Sequence, residues 1–77
     1  MRVIDQYGGS DIPYENACIM IDEGNIVAYM PAAAGNNLRV LMAEYSTIEA
    51  AKEAMEWLHD DYKQGYKIYR FSLEEDA

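Results

Sequence analysis

Few side chains in this 77-residue chain have types and spacings that suggest chemistry: Cys18, His59, and the carboxylates Glu49, Glu53, Glu56 and Asp60. A cysteine nucleophile needs an activating base or a positive neighbour. Cys18 is the only cysteine and lies among Ile and Met residues that read as a strand, so it is expected as a small buried hydrophobe. His59 is the only histidine. One histidine and one distant cysteine supply no metal-ligand spacing, and no Ser-His-Asp set can be built around His59. The four acids recur along one stretch and could hold a divalent cation loosely, but calcium takes six or more oxygens from a shaped loop. A solvated helix face is the better reading. Gly8-Gly9 and Gly35-Asn36 lack the spacing and the lysine of a phosphate-binding loop, although Gly35-Asn36-Asn37 has backbone amides to offer a small anion. These residues predict a protein that is not an enzyme and holds no cofactor and no metal.

The elements that must position these groups follow from pattern. Arg2–Ile4 reads as a short first strand. The Tyr7–Asp11 cluster reads as a turn, with Pro13 extending the irregular stretch. Ala17–Asp22 and Ile26–Met30 read as two strands joined through Glu23-Gly24-Asn25, where Gly and Asn tolerate positive φ. Pro31–Asn37 reads as a loop and Leu38–Tyr45 as the next strand. A helix is expected from Ser46, with Ser46-Thr47-Ile48-Glu49 as a capping box and Gly65 in the left-handed position that ends it. Lys67–Phe71 reads as a last strand, and residues 73–77 as an acidic tail on a single domain of residues 1–72. The expected fold is α+β: a small, mainly antiparallel sheet in the order β-β-β-β-α-β with one amphipathic helix packed on one face. One helix covers only one face, so the other is wet or covered by a partner.

The helix resolves into three faces at 100° per residue. With Glu49 at zero, Glu53, Glu56 and Asp60 fall at about 40°, −20° and 20°. Ile48, Ala51, Met55, Leu58 and Tyr62 cluster near −140° as the expected core stripe. Lys52 and Lys63 lie between the two sets, placed to pair with nearby acids. His59 falls near −80°, at the border of core and water. Ala50, Ala54, Trp57 and Asp61 fall between about 80° and 140°, on an edge that a monomer's core does not obviously need. Two readings of that edge stay open. Trp57 folds over onto the loop Pro31–Asn37, or it anchors an interface, where small neighbours let another surface approach closely. The expected interaction surface is Glu49, Ala50, Glu53, Ala54, Glu56, Trp57, Asp60 and Asp61.

Composition narrows the partners. Fourteen acids against six bases give a net charge of −8, which argues against direct contact with nucleic acid or an anionic membrane. It suits a basic protein surface, including one that normally holds nucleic acid. A chain this short buries only about 60–65% of its unfolded surface, and such domains often gain stability by oligomerising or binding a partner. One cysteine permits no internal disulfide, and no signal peptide or 18-residue apolar run is visible. The single cysteine fits a reducing compartment, so the expected location is the cytoplasm.

Asp11-Ile-Pro-Tyr-Glu-Asn16, Leu41-Met-Ala-Glu-Tyr-Ser-Thr47 and the Ala-Lys-x-Ala-Met run at 51–55 carry a resemblance. The chain resembles small phage, prophage and other mobile-element proteins of Firmicutes, over most of its length. The resemblance implies genetic context, with no catalytic residues to carry over. The expected function is therefore binding and inhibition of a host protein, such as an anti-CRISPR-like or other anti-defence role. One alternative is a homo-oligomer that sequesters a small nucleotide signal, which would want Arg2, Arg39, Lys67 or Arg70 gathered together. Another is a structural accessory subunit of a phage or conjugative particle.

Overall fold

The computed structural model describes residues 1–31 and 37–73. The elements run β1 (Arg2–Ile4), β2 (Asp11–Pro13), a 3-10 turn (Tyr14–Asn16), β3 (Cys18–Asp22), β4 (Asn25–Pro31), β5 (Asn37–Glu44), α1 (Ile48–Gln64) and β6 (Ile68–Arg70). The α+β class and the strand–helix–strand order are those expected, with two refinements. A short strand, β2, lies within the stretch read as turn and irregular chain. It pairs with β1 as an edge strand, a position that tolerates the amide missing at Pro13. The strands also divide into two three-stranded sheets, β2-β1-β6 and β3-β4-β5, all antiparallel except the β1–β6 pair.

Alternation sets the core. Val3, Ile12 and Tyr69 form one cross-strand row that points inward from the first sheet. Ile26, Ala28 and Ala43 point inward from the second, joined by Met42, the extra residue of a bulge opposite Ile26 and Val27. With Ala51, Ala54, Leu58 and Phe71 they make one buried cluster between both sheets and α1. Having two sheets beside it changes which helix face is buried. The buried helix residues are Ala51, Ala54 and Leu58. Ile48 and Tyr62, expected in the core stripe, are about half exposed. The buried face is thus turned by roughly 45° toward Ala54. The flank taken as a free edge is where β6 sits, and the Tyr69 hydroxyl donates to the Ala54 carbonyl at 3.3 Å. Tyr62 stacks instead on Tyr14 of the 3-10 turn, ring centroids 4.4 Å apart.

The cap is also one residue later than expected. Thr47, not Ser46, is the N-cap, and its hydroxyl accepts from the Ala50 amide at 3.1 Å. Glu49 is then one position too early for a capping box. Gly65 ends the helix at φ 86°, as expected, with its amide on the last-turn carbonyls. In the β3–β4 hairpin the left-handed residue is Glu23, at φ 58°. Gly24 serves a different need, described in the Discussion.

Cys18 is exposed, against expectation. It lies with Met20 and Asp22 on the outward face of the edge strand β3, away from α1. Arg39 on β5 donates to the Tyr29 hydroxyl at 3.3 Å and lies 3.8 Å from the Asp22 carboxylate on β3. To join those partners it reaches across β4, on the sheet face where Val27 is 1% exposed.

A buried carboxylate shapes the turn between β1 and β2. The Asp5 carboxylate accepts from the amides of Gly9 at 2.8 Å and Tyr7 at 3.0 Å. Burial opposes its ionisation, but the amides of Gly9, Tyr7 and Gly8 and the Ser10 side chain outweigh burial and hold its pKa below the usual carboxylate value. A lowered folded-state pKa contributes stability above the unfolded value, about 3.9, and that contribution disappears as pH falls through the folded value. Asp5→Asn is therefore expected to be less stable than the parent at pH 7. The gap should narrow below about pH 4. Urea denaturation of both proteins from pH 7 to pH 3 checks this, and a gap independent of pH would refute it.

Candidate functional site

The site is built on the edge of α1 that faces the end of β5 and the segment after β6. Helical spacing puts Ala50, Ala54 and Trp57 on one edge, with Glu53 one turn before Trp57. Tyr45 leaves β5 just before the helix cap, and Ser72 and Leu73 follow β6. Together with Tyr69 these residues line an open groove of ≈ 260 Å³. Trp57 is 59% exposed and forms one wall. Ala54, at 7% exposure, lies in the floor and not on the surface, which corrects its place in the expected contact set. Its small side chain leaves room above it.

Hydrogen bonds fix the opposite wall. The Tyr45 hydroxyl donates to the Ser72 carbonyl at 2.8 Å. The Gln6 side-chain amide donates to the same carbonyl at 2.9 Å and to the Glu44 carbonyl at 3.2 Å. Tyr69 forms the base of the groove and meets Phe71 edge-to-face, centroids 5.1 Å apart. Burial, then the nearby Tyr45 and Asp61, push the Tyr69 hydroxyl far above the ordinary tyrosine range. It stays a neutral donor to the Ala54 carbonyl and so ties β6 to the helix.

The acidic line is as expected: Glu49, Glu53, Glu56 and Asp60 are all exposed, and Asp61 is half-buried. The pairing expected of Lys52 and Lys63 is not seen. The ion pairs among the described residues join the amino terminus to Glu15, Arg2 to Asp11, and Arg39 to Asp22. His59 is exposed on α1, and sheet β3-β4-β5 separates that helix from the outward-facing Cys18. Among the described residues, no three His, Cys, Asp or Glu side chains converge as a metal would require. The suggested packing of Trp57 on the loop and the Gly35-Asn36-Asn37 anion contact lie outside the described residues, apart from the Asn37 backbone in β5.

Part of the helix side of this groove is legible in the sequence: Ala50, Ala54 and Trp57 share one edge there, and Glu53 joins them in the lining from the acidic line. Tyr45, Tyr69, Ser72 and Leu73 were not identified. The alternation of Ile68, Tyr69, Arg70 and Phe71 carried a signal for an inward Tyr69, but nothing local says which helix edge it meets. The chain matches no family model, no curated protein and no solved structure. Among the described residues no helix is long and apolar enough to cross a membrane.

Proposed function

We propose that this chain is a non-enzymatic binding protein of phage or mobile-element origin, acting in the bacterial cytoplasm. In this reading it docks on a basic surface of a host protein and inhibits it. The observation that carries the reading is Trp57, mostly exposed beside an open groove and flanked by Glu49, Glu53, Glu56 and Asp60. Exposing an indole loses the free energy of its burial, and tryptophan is among the residue types enriched at contact hot spots. The carboxylates beside it have no basic partner among the described residues, so they are available to steer a positively charged surface. The mobile-element origin is supported by the sequence resemblance.

The nucleotide-sequestering alternative has less support. Arg39 lies on a different sheet from Arg2, and each is beside an aspartate. Arg2 and Lys67 do line a second cleft of ≈ 420 Å³, but Glu15 shares it, and among the described residues no basic side chain lines the groove beside Trp57. The test begins with affinity purification of the tagged chain from its host and identification of what co-elutes. Reversing charge at Glu49, Glu53, Glu56 and Asp60 together is then expected to weaken binding of the purified partner by about a hundredfold or more. Calorimetry showing unchanged affinity would remove the acidic surface as the contact. These four positions are exposed, so the fold should survive the change, and thermal denaturation verifies that it does.

A further inference from the structure

We propose that the groove beside Trp57 receives one arginine side chain from the partner, a reading that rests on the acidic contact surface proposed above. Three aromatic rings, Trp57, Tyr45 and Tyr69, contribute to the lining, and among the described residues Glu53 is its only charged member. Aromatic faces with a single carboxylate at the rim favour a flat cation. A guanidinium stacks on an indole face and still offers paired N–H donors to a carboxylate, whereas an ammonium is a compact and strongly hydrated point charge. Ala50 and Ala54 leave space along the helix for the aliphatic stem, which buries readily while its head stays polar.

Size supports one side chain. The ≈ 260 Å³ volume is just under the ~300–1,000 Å³ of ordinary small-molecule pockets, so a nucleotide is a poor fit and a single long side chain a good one. Charge also selects between occupants. The residues following Leu73 are Glu74, Glu75 and Asp76, and these repel Glu53 as the chain's own tail would approach it. A second copy would bring another −8 to the same surface. An arginine of a basic partner meets neither objection.

The experiment uses the full ¹⁵N-labelled chain titrated with the peptide acetyl-Gly-Arg-Gly-amide, and with its lysine and citrulline analogues. Citrulline keeps the shape of arginine and removes its charge. Saturable amide shifts are expected at the Trp57 indole and at the backbone of Ala50, Glu53, Ala54 and Ser72. The lysine peptide should bind more weakly than the arginine peptide, and the citrulline peptide about tenfold more weakly or worse. Glu53→Gln and Trp57→Ala change exposed side chains, so both should fold with native spectral dispersion and each lose at least about fivefold in affinity. Asp22→Asn, on the far sheet, should change nothing.

The proposal is overturned by the absence of a saturable shift at these residues, by equal binding of the citrulline peptide, or by full binding in both groove variants. Arginine binding that appears only after removal of residues 74–77 would also overturn it, assigning the groove to the chain's own tail. The two readings fail separately. Reversal of Glu49, Glu56 and Asp60, none of which lines the groove, tests the contact surface alone. Partner binding that depends on those acids, with no peptide binding, leaves the surface and removes the arginine anchor. Peptide binding without that dependence leaves the anchor and removes the wider surface.

Discussion

Replacing Gln6 by alanine is expected to remove about 3 kcal/mol, a large share of the roughly 4–12 kcal/mol available to a domain of this length. Gln6 is 2% exposed and stands where the two sheets meet. Its backbone amide donates to the Met42 carbonyl at 2.8 Å, on the bulge of β5. Its side-chain oxygen accepts from the Glu44 amide at 2.9 Å. Its side-chain nitrogen donates to the carbonyls of Glu44 and Ser72. One side chain thus completes the backbone hydrogen bonding of β5 and of the segment after β6. Truncation leaves the Glu44 amide and carbonyl without this partner and opens a void that neither sheet can close alone. The melting temperature should fall by on the order of 15 °C. Gln6→Glu should be no better at pH 7, since a carboxylate cannot donate to two carbonyls. Urea denaturation with an unchanged slope and a lower midpoint is the expected record. A midpoint within experimental error of the parent would show that the seam is held by packing. Because Ser72 forms one wall of the groove, the Gln6 variants should also blunt the arginine-peptide shifts at Ser72.

Gly24→Ala should produce the second large loss. A β-carbon at Gly24 would sit 2.2 Å from the Tyr45 carbonyl oxygen. That atom is backbone, so no rotamer change relieves the overlap. The Gly24 carbonyl also accepts from the Tyr45 amide at 2.9 Å, and the hairpin cannot move away without stretching that bond. A cost of about 2–3 kcal/mol is expected. Gly65 provides the comparison. Its φ of 86° requires the left-handed region, but a β-carbon there meets nothing within 4 Å. Gly65→Ala should therefore cost only ~1 kcal/mol, the conformational penalty alone. Thermal melts of the two variants side by side separate the effects. Equal losses would mean that the close approach at Gly24 relaxes at no cost. Hydrogen exchange should show the Tyr45 amide losing protection in Gly24→Ala and keeping it in Gly65→Ala.

The sequence by itself determined the fold class, the order of elements, the helix end at Gly65 and the acidic line of α1. Those features rest on local rules: alternation in strands, a 3.6-residue period, and the glycine that a left-handed cap prefers. It also isolated Ala50, Ala54 and Trp57 as a distinct edge beside the acidic line, because angles around a helix need no tertiary knowledge. Only the tertiary structure decided which residues of that edge are buried. Ala54 belongs to the core because β6, separated from it in sequence, presents Tyr69 to its carbonyl. Cys18 is exposed because β3 is an edge strand whose odd-numbered neighbours, Ile19 and Ile21, face inward, and an apolar run alone does not reveal which alternate set points in. The division into two sheets and the role of Gln6 were invisible for the same reason. A glutamine after a short strand looks like a surface residue until three distant backbone groups converge on it. Long-range pairing turned a helix edge legible in the sequence into a groove with a second wall, and that wall makes it a candidate receptor for a single basic side chain.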